Sequence, residues 1–112
     1  MEKVLWLSRH QATEPQLAEL RHLFGDDVSL TLVSETVPGA ARVKELVAEH
    51  GATILVAVLP MPLVAELLGK GGLEVPFVRA AMERELQGDG SAIFYFSHFE
   101  KVVKVEFVVE RL

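Results

Sequence analysis

The chain contains no cysteine, which excludes disulfide scaffolds, thiolate metal sites and cysteine nucleophiles, and leaves the redox compartment open. Basic residues are in short supply. Lysine and arginine number 11 against 16 aspartates and glutamates, a formal charge of -5. That balance excludes a surface that coats DNA or RNA through excess positive charge, and no DNA partner is expected. A small anionic ligand in a local pocket remains compatible. No apolar stretch approaches the roughly 20 residues that a membrane-spanning helix needs. The run Val4 to Leu7 is too short for the apolar region of a signal peptide, so the expectation is a soluble, cytoplasmic protein without a membrane partner. The P-loop pattern, Gly-x-Gly-x-x-Gly and Gly-x-Ser-x-Gly are all missing. His10, His22, His50 and His98 show no metal-ligand spacing, so no metal and no cofactor are expected.

What is present suits one compact unit. With 112 residues and 50% hydrophobic content, residues 1–112 are expected to form a single domain. Apolar runs alternate with helix-period segments up to about Arg79, the signature of βα units around a parallel sheet. Val4 to Leu7 reads as the first strand. Thr13-Glu14-Pro15-Gln16 has capping-box spacing, with Thr13 as N-cap, and Leu17, Leu20, Leu23 and Phe24 share one face of the following helix. Gly25 suits its C-cap. Val28 to Val33 is a second strand, and the Pro38-Gly39 turn precedes a helix with Val43, Leu46 and Val47 facing inward. Thr53 to Leu59 is almost wholly apolar, as a central parallel strand covered on both faces would be. Pro62 suits the first position of a helix that buries Leu63, Val64, Leu67 and Leu68. Val75 to Val78 reads as a shorter fourth strand. Beyond Glu83-Arg84-Glu85 and the turn Gly88-Asp89-Gly90, Ala92 to Phe96 and Val102 to Val109 are expected to pair as an antiparallel hairpin within residues 91–112. Right-handed crossovers give the fold expectation: a Rossmann-like α/β sheet of order about 2-1-3-4 with flanking helices.

In that order the first and third strands adjoin, with their crossover helices leaving toward opposite faces, and the loops after them flank a topological switch point. Those loops are Ser8-Arg9-His10-Gln11-Ala12-Thr13 and Pro60-Met61-Pro62. Arg9 brings a permanently charged planar fork suited to phosphate or carboxylate. His10 can exchange a proton near neutrality. The amides of Leu63 and Val64 are expected to stand free at a helix start, although Pro62 contributes none. Arg79, at the end of the fourth strand, could reach the same edge, whereas Arg84 in its charged triplet reads first as a solvated face. His22 reads as surface and His50 as a helix-end cation. Ser97-His98, with Lys101 and Lys104 nearby, reads as a hairpin turn before it reads as a proton-delivering pair.

The strings Leu7-Ser8-Arg9-His10, Leu59-Pro60-Met61-Pro62-Leu63-Val64-Ala65-Glu66 and Arg84-Glu85-Leu86, in that order, resemble the small single-domain ring nucleases associated with type III CRISPR systems. The resemblance covers most of the first ninety residues. The stretch from Ser91 to Leu112 departs from the shortest members of that family. The resemblance implies a homodimer that binds a cyclic oligoadenylate across its two-fold axis and cleaves it without metal. A ribose 2'-hydroxyl would attack the neighbouring phosphate, ending antiviral signalling. It implies Arg9 and the amides near Leu63 on the phosphate, and His10 as general acid or base. Ser8 and Thr13 would orient the ring, Pro60 and Met61 would line the loop, and Arg79 and Arg84 would be further phosphate contacts. Two other readings stand beside this one: a module that senses or sequesters a small nucleotide without chemistry, and a dimerising interaction protein that works through an edge strand.

Overall fold

The structure, a computed structural model, describes residues 1–106 and 108–112. Apolar runs and helix-period segments alternate as the sequence suggests: β1 (Lys3–Leu7), α1 (Glu14–Phe24), β2 (Ser29–Val33), α2 (Ala40–Glu49), β3 (Ile54–Ala57), α3 (Met61–Leu68), β4 (Phe77–Leu86) and β5 (Ala92–Lys101). The result is α/β, with three helices on a five-stranded mixed sheet of order β2-β1-β3-β4-β5. The first four strands are mutually parallel and β5 joins antiparallel to β4. The expected sheet of order 2-1-3-4 is therefore one strand short.

Side-chain alternation along the strands builds two cores. Leu5 and Leu7 face one way, with Leu55, Ala57 and Phe77, against Val43 and Leu46 of α2 and Val64 and Leu67 of α3. Val4 and Trp6 face the other way, with Ile54, Val56 and Val78, against Leu20 of α1. The sheet is thus covered by α2 and α3 on one face and by α1 on the other. Burial of side chains such as Leu5, Leu55 and Leu67, each fully enclosed, stabilises the fold by about 1.5–3 kcal/mol apiece relative to exposure. Of the residues assigned to the buried face of α1, Leu20 is enclosed and Phe24 packs against the same core, but Leu23 is 48% exposed.

The C-terminal third corrects the sequence expectation. The fourth strand does not stop at Val78; it runs ten residues, straight through Glu83-Arg84-Glu85, and the hairpin forms between β4 and β5. Residues 102–106 lie outside any strand, as do residues 108–112, and Phe107, within the expected Val102 to Val109 strand, falls outside the described residues. Charge alternation misled the reading: on a two-stranded ribbon open to water, charged side chains are compatible with pairing, and a five-residue turn closes it. In that turn Gln87 N–H donates to Ser91 O at 2.8 Å, Asp89 accepts from the Ser91 amide and hydroxyl, and Gly90 takes φ 89°.

A bulge at Ser97, between the pairs Ala81–His98 and Met82–Phe96, decides which way the ribbon's aromatics point. Phe96 and Phe99 are three apart, so regular alternation would put them on opposite faces. The extra residue returns both to the α1 side, where their rings lie 4.8 Å apart and Phe99 meets Trp6 edge-on at 6.1 Å.

Candidate functional site

Because β1, β2 and β3 run parallel, the loops that follow them open at one edge. There they enclose a crevice of about 660 Å3, a common size for a small-molecule site. Ser8, Arg9 and His10 come from the loop after β1, Glu35 through Gly39 from the loop after β2, and Val58, Leu59, Pro60, Pro62, Leu63 and Glu66 from β3's exit and α3. Apolar and charged groups share this lining, an arrangement suited to a ligand with both a flat base and a charged phosphate.

The loop after β1 is held by its own backbone. The Trp6 indole N–H donates to His10 O at 2.8 Å, the His10 amide donates to Ser8 Oγ at 3.2 Å, and the Ser8 amide donates to Val33 O at 3.2 Å. Buried indole groups need an acceptor, and here the acceptor is the loop that presents Arg9. Arg9 and His10 are exposed, and an Arg9 terminal nitrogen donates to Thr36 Oγ1 at 3.5 Å. Of the two carboxylates in the lining, Glu35 is occupied. Arg42 donates to it with Nε at 2.7 Å and a terminal nitrogen at 2.9 Å, which lowers the Glu35 pKa and raises that of Arg42, already braced by Glu45 and Glu49. Glu66 has no ion-pair partner among the described residues.

The helix starts correct a second expectation. The amides of Leu63 and Val64 are not free: both donate to Pro60 O, at 3.0 and 3.1 Å, because α3 begins one residue earlier than expected, at Met61, with Pro60 as N-cap. α3 has no side-chain cap, and neither does α2, which also starts at this crevice. Its N-cap, Gly39, has no side chain with which to accept an amide, and both Pro38 and Gly39 line the crevice. The positive end of the α2 dipole therefore adjoins Arg9's loop.

The crevice thus brings together Ser8, Arg9, His10, Pro60 and Leu63 and leaves the other expected residues outside it. Thr13 is committed to α1: its hydroxyl accepts from the Gln16 amide at 3.4 Å and its amide donates to Gln16 Oε1 at 2.9 Å, a complete capping box. Met61 stands half-exposed on the first turn of α3 and Val64 is buried in the core. Arg79 pairs with Glu100 at 2.9 Å on the ribbon, and Arg84 stands further along it, opposite Phe94. Neither reaches the crevice, because β4 carries both beyond the sheet. His50 caps α2's C-terminus. Ser97-His98 lies within β5 at its bulge, not at a turn. The Ser97 hydroxyl bonds Glu83 at 3.0 Å and lies 2.8 Å from His98 Nδ1. Hydrogen bonds from Tyr95 and Ser97 lower the pKa of Glu83, and the network stands outside the crevice.

The residues that sequence reasoning missed are Glu35, Thr36 and Gly39. The signal for them was available: once a sheet is read as parallel, every βα loop opens at the same edge, the second as well as the first and third. Among the described residues, no group of three or more histidines or carboxylates is placed to hold a metal ion, and no helix is long and apolar enough to cross a membrane. No protein-family model, curated protein or solved structure matches the chain.

Proposed function

We propose that this chain is a ring nuclease that cleaves cyclic oligoadenylates without metal and so switches off type III CRISPR signalling. The observation that carries the reading is the meeting, at the switch point of a Rossmann-like sheet, of Arg9, His10 and the uncapped start of α2. Arg9 and the α2 amides stabilise charge on the non-bridging oxygens of one phosphate. His10 transfers a proton. The ribose 2'-hydroxyl oxygen forms a bond to the adjacent phosphorus, the bond from phosphorus to the 5'-oxygen breaks, and the proton lost by the 2'-hydroxyl is balanced by one delivered to the 5'-oxygen. The products are a 2',3'-cyclic phosphate and a 5'-hydroxyl. Apolar Val37, Val58 and Leu63 offer surface to the adenine. A cyclic, multiply charged ligand suits a homodimer that presents two such crevices to it.

Incubation of the protein with cyclic tetra- and hexa-adenylate in EDTA, read by chromatography, tests the reading. Linear product ending in a cyclic phosphate is expected, and Arg9→Ala should lower the rate by about 100-fold or more, with partial recovery in Arg9→Lys. Rings bound tightly but recovered intact would identify a sequestering module instead. Neither cleavage nor binding would reject both.

A further inference from the structure

We propose that Arg42 is a positioning residue: from outside the crevice it clamps Glu35 and so keeps the Arg9 guanidinium free for a phosphate, which rests on Arg9 as the phosphate-binding group of the proposed function. The crevice wall holds a conflict of charge. The loop after β2 puts a carboxylate, Glu35, and a hydroxyl, Thr36, side by side in the lining, and the Arg9 guanidinium already reaches that loop, donating to Thr36 Oγ1 at 3.5 Å. Consecutive Cα atoms are about 3.8 Å apart, so a Glu35 side chain left to itself is within range of Arg9. A carboxylate takes a guanidinium through two parallel hydrogen bonds, the geometry by which Arg9 takes a phosphate. An unrestrained Glu35 is therefore an internal competitor for the ligand's place, and its charge repels every phosphate of an anionic ring.

Arg42 removes that competitor. It stands on the first turn of α2 and does not line the crevice. A cation there opposes the helix dipole, so helix formation does not account for an arginine at this position. Its Nε donates to one Glu35 oxygen at 2.7 Å and a terminal nitrogen to the other at 2.9 Å, engaging both ends of the carboxylate. The second terminal nitrogen donates to Glu45 at 3.1 Å and to Glu49 at 3.2 Å. Residues 42, 45 and 49 lie on one stripe of the helix, so these two acids anchor the guanidinium on α2 and fix where it holds Glu35. The rigid fork of an arginine can span three carboxylates in this way, whereas a lysine offers one point charge. Three carboxylates around one guanidinium leave the cluster net negative, so Arg42 is not itself an anion site. The pair is the best shielded ion pair among the described residues, at 29% and 36% side-chain exposure against 54% and 39% for Arg79 and Glu100.

Titration calorimetry with cyclic tetra-adenylate at low and high salt tests the clamp. Arg42→Ala should weaken binding about 5-fold or more at low salt and by less at high salt, because exposed charges are screened. Arg42→Ala combined with Glu35→Gln should return the affinity to within about 2-fold of wild type, since the freed charge is then gone. Arg42→Lys should fall between wild type and Arg42→Ala. Thermal melts identify any variant that fails to fold, and Arg42→Gln, which keeps a good helix former on α2, replaces Arg42→Ala in that case. Unchanged affinity on loss of Arg42 overturns the proposal, and so does a loss that Glu35→Gln fails to repair. If the wild-type chain binds no ring, the ring reading falls while the clamp is still read from Arg9 itself by NMR. The Arg9 Nε–H resonance should shift in Arg42→Ala and return in the double variant. A resonance that stays in place in Arg42→Ala overturns the clamp.

Discussion

Gly39 precedes α2 with an extended backbone, φ 178°, a conformation open to any residue, and nothing lies within 4 Å of the position its Cβ would take. No steric reason therefore requires glycine there. Its consequence is electrostatic, since an N-cap without a side chain leaves the first amides of α2 beside Arg9's loop. Gly39→Asp would let a carboxylate accept one of those amides and place a negative charge in the crevice. The melting temperature should hold or rise, reflecting a gain of a few tenths of a kcal/mol, roughly the difference between these caps. Titration calorimetry with cyclic tetra-adenylate should show affinity lowered by about 10-fold or more. Undiminished affinity would remove α2 from the phosphate site. Arg9 and His10 were legible in the sequence because a short polar loop after an apolar run has one place to go in a parallel sheet. The direction of the Leu63 and Val64 amides was not, because it turns on which residue accepts them, and a shift of one residue in α3's start decided that.

The elements divide by how local their causes are. α1 was readable almost to the residue, since Thr13, Gln16 and Gly25 act on amides and carbonyls within one turn. Thr13→Ala should cost about 1 kcal/mol of stability, measurable by urea denaturation, and leave ring cleavage unchanged. A loss of cleavage without a loss of stability would return Thr13 to the crevice, where the family resemblance had placed it. β4 and β5 were misread for the opposite reason. Glu83-Arg84-Glu85 has no local signal for strand, and its extended form is set by partners on β5, with Tyr95 bonding Glu83 at 2.7 Å. Val102 to Val109, richer in β-branched residues, reads better as strand by propensity. Propensity yields to pairing, and the shorter closure across residues 87–91 gave β4 its partner.

Across the whole molecule, charge is arranged in surface pairs rather than buried ones. Glu35, Glu83, Asp89 and Glu100 all have lowered pKa values, through hydrogen bonds from Arg42, Tyr95, Ser91 and Arg79 respectively. A carboxylate whose folded pKa is depressed adds stability that is present above its unfolded pKa and is lost as pH falls through the folded one. The melting temperature should therefore hold from neutrality down to about pH 5 and fall steadily below about pH 4, the ordinary carboxylate range. A decline already complete by pH 5 would overturn this account. The sequence by itself determined the α/β class, the caps of α1, the two-sided burial of β3 and the polar loop bearing Arg9 and His10. These follow from periodicity and from contacts within a few residues. Only the tertiary structure decided that the loop after β2 completes the crevice, that α2 brings an uncapped start to it, and that Arg79 and Arg84 are carried away on a ribbon. Each depends on which distant strands pair and where that pairing stops, a balance of loop closure against burial that short-range patterns do not encode.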